Sequence, residues 1–147
     1  MSRPLLMLAV LTLILVAVGV AITVYQTLFR ESGWATIVVE GHPIAYENKS
    51  ASPGYAVIKV TIANSGNAPL KDNIAFIVIP HLEYRKIPAN ELIADLPPGA
   101  SVTLTFTLSS HEWEALKNYP VFPAILQIKR IDSDVINSFQ VEVRVKD

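Results

Sequence analysis

Hydrophobic positions run unbroken through the first part of the chain and alternate with polar ones through the rest. From Pro4 to Phe29 the run PLLMLAVLTLILVAVGVAITVYQTLF has no charged side chain, and Thr12, Thr23, Gln26 and Thr27 are its clearly polar members. These 26 residues, read as a helix rising about 1.5 Å per residue, would reach roughly 39 Å, more than the ~30 Å hydrocarbon core of a bilayer. Apolar residues occupy every side of it, so lipid or protein must enclose such a helix all round. Thr12 and Thr23 are expected to return their hydroxyls to the carbonyl one turn back and to need no partner helix.

Beyond Arg30 the pattern changes period. Ser32-Gly33 interrupts the apolar run and is the candidate hinge. Trp34 to Glu40 is β-branched and predicts a first strand, turned by Gly41-His42-Pro43, and Ile44 to Ser52 is polar and loop-like. Tyr55 to Ala63 alternates, with Ile58, Val60 and Ile62 on one face and Lys59 and Thr61 on the other. Asn64-Ser65-Gly66-Asn67-Ala68-Pro69 is a dense turn signal. Ile74 to Ile79 is continuously apolar up to Pro80, as in a central strand. Glu83 to Ile87 reads as a charged edge strand.

The clearest strand is Ser101 to Leu108, SVTLTFTL, in which Val102, Leu104, Phe106 and Leu108 point inward and three threonines outward. A short helix over Ser109 to Lys117 takes Ser110 as its cap, with acids in its first turn and a lysine near its end. Val121 to Lys129 is a strand carrying Pro123. Val135 to Val145 closes the chain with Phe139, Val141, Val143 and Val145 inward. The expected fold is therefore α+β by content but mainly β. A long N-terminal hydrophobic helix over residues 1–31 precedes a head over 32–147, an antiparallel immunoglobulin-like β-sandwich of seven to eight strands.

Composition narrows the chemistry. The 147 residues hold no cysteine, which removes disulfides, thiolate catalysis and cysteine-based metal sites. Residues 31–147 carry a net charge of about −3, unlike the clustered basic surface that nucleic acid requires. His42, His81 and His111 are isolated, with no second ligand at helical spacing, so no metal is expected. Glu112 and Glu114, two apart on the short helix, point to different sides and read as dipole partners rather than an acid–base pair. Asp132-Ser133-Asp134 reads as a solvated hairpin tip. No nucleophile elbow, phosphate loop or dinucleotide fingerprint occurs, so no cofactor and no enzymatic activity are expected. Asn48-Lys49-Ser50 is an N-glycosylation acceptor pattern at Asn48 if the head lies outside the cell.

Three roles compete for the apolar run. It is a single membrane anchor, a cleaved secretory signal ending near Gly19-Val20-Ala21, or the core of a filament of bundled helices. In the last role Leu6, Ala9, Leu13, Ala17, Gly19, Ala21 and Val24 form the helix–helix packing surface, and Ala17-x-x-x-Ala21 has the small-xxx-small spacing that lets backbones approach. Arg3 before the run favours an inside amino terminus and an outside head. Tyr25, Phe29 and Trp34 suit a membrane boundary or a staple between helix and head. Tyr84 and Trp113 lie in segments predicted to be exposed; each reads as a contact point between subunits or, mainly, as packing within its own domain.

The plan of a leading apolar helix followed directly by a cysteine-free β head resembles the archaeal type IV pilin and archaellin group of filament subunits. The segments VTIANSGNAPL and LPPGASVTLTFTL, within Val57 to Leu108, are similar to cell-surface immunoglobulin-like and adhesion modules. Met1 is then the processed start, or Arg3 ends a very short leader. The resemblance implies a structural subunit of an extracellular pilus-like helical filament serving adhesion or motility. Its partners would be copies of itself, the membrane before assembly, and surface glycans or a surface layer. The alternative is a single-pass, membrane-anchored extracytoplasmic binding or stator module.

Overall fold

A computed structural model of the protein describes residues 3–31, 34–49 and 55–146, the side chains of 18–31 excepted. The chain divides into two compact units, Met1–Trp34 and Ala35–Asp147. The first is a single helix, α1, over Arg3–Glu31. The described side chains of α1, Arg3 to Ala17, cover about 22 Å at 1.5 Å per residue, short of a ~30 Å hydrocarbon core. Among the described residues no helix is long and apolar enough to cross a membrane. The expectation of a long hydrophobic helix able to span a bilayer is corrected to that extent. Ser32 and Gly33, the predicted hinge, lie outside the described residues.

Among its described residues the second unit holds eight strands, one short α-helix and a 3₁₀ turn, Pro80–Leu82. The strands are β1 (Ile37–Asn48), β2 (Tyr55–Asn64), β3 (Leu70–Ile79), β4 (Arg85–Pro88), β5 (Ile93–Leu96), β6 (Ser101–Leu108), β7 (Val121–Arg130) and β8 (Ile136–Val145), with helix α2 (Ser110–Leu116) between β6 and β7. They form one continuous sheet in the order β4-β3-β7-β8-β1-β2-β6, and β5 pairs with β3 as well. The sheet curls into a half-barrel around its core. All pairs are antiparallel except β1 with β8, which run parallel through Ile44 with Arg144 and Ala45 with Val145.

This corrects the predicted antiparallel immunoglobulin-like sandwich of separate sheets. The physical reason lies in β1. Its register against β2 breaks between Glu40 and Ile44, where Gly41 has φ +64°. Glycine adopts that left-handed conformation without a Cβ clash, and the resulting bulge bends the strand. Past the bend β1 pairs with β2 on one edge and β8 on the other, so a single strand joins what would be two sheets. The polar stretch Ile44 to Asn48, expected as loop, is thus strand, and β5 is a strand that the sequence pattern did not mark.

Elsewhere the alternation is reproduced. Ile58, Val60 and Ile62 of β2 and Leu104, Phe106 and Leu108 of β6 are fully buried, and they meet Ile77 and Ile79 of β3 and Phe122, Leu126 and Ile128 of β7 in one core. Burying a large apolar side chain contributes about 1.5–3 kcal/mol, so this set dominates the stability of the head. β7 tolerates Pro123 because its last pair with β3 is Ile125 with Val78; the missing N–H falls beyond the end of that ladder. The cap of α2 is Ser109, one residue earlier than predicted. Its hydroxyl accepts from Glu112 N at 3.2 Å and its N–H donates to Glu112 Oε1 at 2.9 Å, a reciprocal capping box. Arg85 Nε then pairs with Glu112 Oε2 at 2.7 Å.

One buried polar side chain ties the turns together. Asn64, at the end of β2, is 0% exposed. Its Oδ1 accepts from Thr36 N at 3.2 Å and Gly66 N at 3.0 Å, while its Nδ2 donates to Ala68 O at 2.8 Å and Leu96 O at 3.0 Å. Asn64→Ala leaves four backbone groups without these partners and is expected to destabilise the head by about 2–4 kcal/mol. Urea unfolding of the full chain, followed by tryptophan fluorescence, checks this; an unchanged midpoint contradicts it.

Candidate functional site

The most unusual surface of the molecule is the side of α1 that water would have to cover, and it is every side. Leu5, Leu6, Met7, Leu8, Val10, Leu11, Leu13, Ile14, Leu15 and Val16 are each at least half exposed. At 100° per residue these consecutive positions sweep the full circumference of the helix. Soluble monomers rarely expose contiguous apolar patches beyond a few hundred Å². Covering these side chains is favourable by on the order of 10 kcal/mol in gross terms for this part of the helix alone.

Leu6, Ala9, Leu13 and Ala17, four of the predicted packing residues, are exposed and share one stripe of α1, since spacings of 3, 4 and 4 return to nearly the same direction. Gly19, Ala21 and Val24 lie on helical backbone, but their side chains are outside the described residues. Beside the stripe, Leu6, Met7, Val10, Leu11 and Ile14 border a shallow apolar furrow of about 270 Å³. Thr12 does not disturb this surface, because its Oγ1 donates to Leu8 O at 2.9 Å.

The head carries several shallow grooves. One of them, about 480 Å³, is bordered by Pro80, Tyr84, Pro123, Gln140 and Glu142. Tyr84 is 69% exposed, and with Glu83 it forms a two-residue reversal at φ 58° and 56°. Each of these residues carries a cost of about 1–2 kcal/mol in the left-handed region. The predicted dual reading of Tyr84 and Trp113 therefore separates. Tyr84 stands in solvent, and Trp113 is buried in the core at 6% exposure.

The histidines stay apart chemically. His81 stacks edge-on against Tyr119, with ring centroids 4.6 Å apart, and His42 Nε2 lies 3.3 Å from Arg144 Nη2. Among the described residues no three His, Asp or Glu side chains converge on a point that would hold a metal ion. Glu112 and Glu114 are engaged separately, the first with Arg85 and the second with Lys117 at 2.7 Å. Asn48 ends β1 half-buried and its Nδ2 donates to the Tyr55 hydroxyl at 3.2 Å; Ser50, the third residue of its acceptor pattern, is outside the described residues.

No family model matches the chain, and no curated protein matches it. Among solved structures the chain is similar to a β-glucosidase from Erythrobacter marinus, with 14% identity and a TM-score of 0.32 over 74% of this chain and 15% of that one. It is also similar to β-glucosidase 3B from Thermotoga neapolitana, with 19% identity and a TM-score of 0.31 over 78% of this chain and 17% of that one. The chain thus spans less than a fifth of either enzyme's length. Likeness at this level carries no argument about fold or activity.

Because its hydroxyl is satisfied within its own helix, Thr12→Val is expected to change self-association of the full chain in detergent by no more than about twofold. Analytical ultracentrifugation measures this. A much larger loss would mean that Thr12 bonds across helices instead.

Proposed function

We propose that this protein is a structural subunit of an extracellular, pilus-like helical filament, held together by packing of α1 against α1 of other copies with the β head outside. The observation that carries the reading is the apolar circumference of α1 over Leu5–Val16. A helix with one wet side needs a partner on the other; a helix apolar all round needs neighbours all round, and a bundle of its own copies supplies them. Small residues such as Ala9 and Ala17 let two backbones approach where they meet. Contacts of this kind are heterologous, and when their rotation does not close they propagate as an open helical polymer.

The β head then forms the outer surface and does the work of adhesion or of bearing load, without catalysis. It reaches that place from the membrane, where lipid supplies the apolar surroundings before sister helices do. A core of buried aliphatic strands and a clip at Asn64, with no disulfide, suits a head that must stay folded on a filament surface. Surface glycans or a surface layer are the expected contacts of such a head.

The test is polymerisation. Full-length protein transferred from detergent into aqueous buffer is expected to form helical filaments visible by negative-stain electron microscopy. Leu13→Glu places a carboxylate in the packed core, where burial of an unpaired charge costs several kcal/mol, and should abolish the filaments while the far-ultraviolet circular dichroism of the head is retained. Single copies stable in a lipid nanodisc, with no polymer under any detergent-free condition, would instead make the protein an anchored module.

A further inference from the structure

Among the described residues of the second unit, the edge of β8 from Ile136 to Glu142 has no paired strand. Among the same residues β8 is paired with β1 only at Arg144 and Val145, and the register of β1 shifts at the Gly41 bulge just before that pairing. Between the two strands, with Val39, Gly41 and Pro43 on one side and Gln140 and Glu142 on the other, lies a gap of about 280 Å³. The backbone directions along β8 follow from two bonds. Val145 N donates to Pro120 O at 2.9 Å, toward β7, and Lys146 N donates to Ala45 O at 2.8 Å, toward β1. The register of β8 against β7 is unbroken from Ile136 to Arg144. Odd-numbered residues therefore turn their N–H and C=O to β7, and Ile136, Ser138, Gln140 and Glu142 turn theirs to the open edge.

The other edges are protected in ways that this one is not. β4 is four residues long and carries Arg85, Lys86 and Pro88. The free side of β6 is occupied by Asn90, whose N–H donates to Thr105 O at 2.8 Å and whose side chain bonds Thr107. Short length, cations, proline and capping side chains are the usual guards of a sheet edge. The stretch Ile136–Glu142 has none of them, and Glu142 is its one charge. Its inner face is also underfilled: Phe139 and Val141 are only partly buried, whereas Val143 on the same strand is fully buried.

We infer that the open edge of β8 is an interface for β8 of a second copy, paired antiparallel about a two-fold axis at Phe139. The stretch is self-complementary in that register. Phe139 faces Phe139 of the partner copy as a non-hydrogen-bonded pair, where side chains stand closest, and aromatic cross-strand pairs are favourable. Ser138 meets Gln140 and Ile136 meets Glu142, so no like charges are opposed. All four outward-facing residues then exchange backbone hydrogen bonds, as strands do when they add to a sheet edge. The contact is isologous and closes after two copies, so it joins two heads and does not propagate. It stands whether α1 is surrounded by sister helices or by lipid, and on filaments it would couple one filament to another side by side.

The absence of cysteine makes the test direct. Full-length Ser138→Cys mixed with full-length Gln140→Cys should form a disulfide-linked heterodimer under mild oxidation. It should form at least about tenfold faster than in either variant alone, whose equivalent positions are diagonal and too far apart to bridge, or in an exposed control, Glu114→Cys. Adding Gln140→Pro to the Ser138→Cys chain should remove that product. The lost N–H faces the open edge, so no β7–β8 bond is broken and the thermal melt should remain cooperative. Mixed chains that cross-link no faster than Glu114→Cys would overturn the inference. So would equal cross-linking by Ser138→Cys alone, or indifference to Gln140→Pro.

Discussion

Asn64 has no contact with solvent, and a buried carboxamide must find partners for both its oxygen and its nitrogen or lose about 1–3 kcal/mol for each group left bare. Thr36, Gly66, Ala68 and Leu96 provide them, from the entry to β1, the turn after β2 and the end of β5. The backbone of Asn64 adds bonds to Gly99 and Ala100 before β6. Three separate segments, the entry to β1, the turn after β2 and the connection from β5 to β6, are thus referred to one residue. With no disulfide to hold them, the order of the strands at this end of the half-barrel depends on that one satisfied group and on the aliphatic core beneath it.

Further along β1 the controlling feature is the Gly41 bulge. It lets β1 leave β2's partner edge free for β8 at Ile44 and Ala45, which closes the sheet into one piece. The same bend draws the first half of β1 away from β8, and the open edge of Ile136–Glu142 is its direct result. A device that unites the sheet therefore also exposes seven residues of strand, and the exposed stretch is the one whose sequence pairs with itself without conflict. Closure of the core and exposure of an interface are two outcomes of one positive φ.

The helix poses a different problem. Its apolar side chains are poorly reconciled with water, and packing is the means by which such a surface is removed from solvent. Packing in the head is directional and specific, with fixed registers and caps. The described surface of α1 is broad, with small residues and aliphatic side chains repeated around the circumference. The first suits a rigid exterior and the second suits a core in which many copies of one helix meet at several angles.

The residue pattern by itself determined which side chains are inside and which elements exist wherever period and burial coincide. Ile58, Val60 and Ile62, the threonine-lined β6 and the short helix bearing Glu112 were legible, because alternation and helical spacing are local consequences of one covered face. The neighbours of each strand were not. Nothing in the polar stretch Ile44 to Asn48 marks it as strand, since its order comes from β2 and β8 on either side; β5 is held by β3, and Tyr84, expected to pack within its own domain, stands in solvent. The parallel pairing of β1 with β8, the single curled sheet in place of two, and the bare edge of β8 were decided only in three dimensions. Pairing is a relation between distant segments, and hydrogen bonds between backbones carry no trace of their partners in the identity of the side chains.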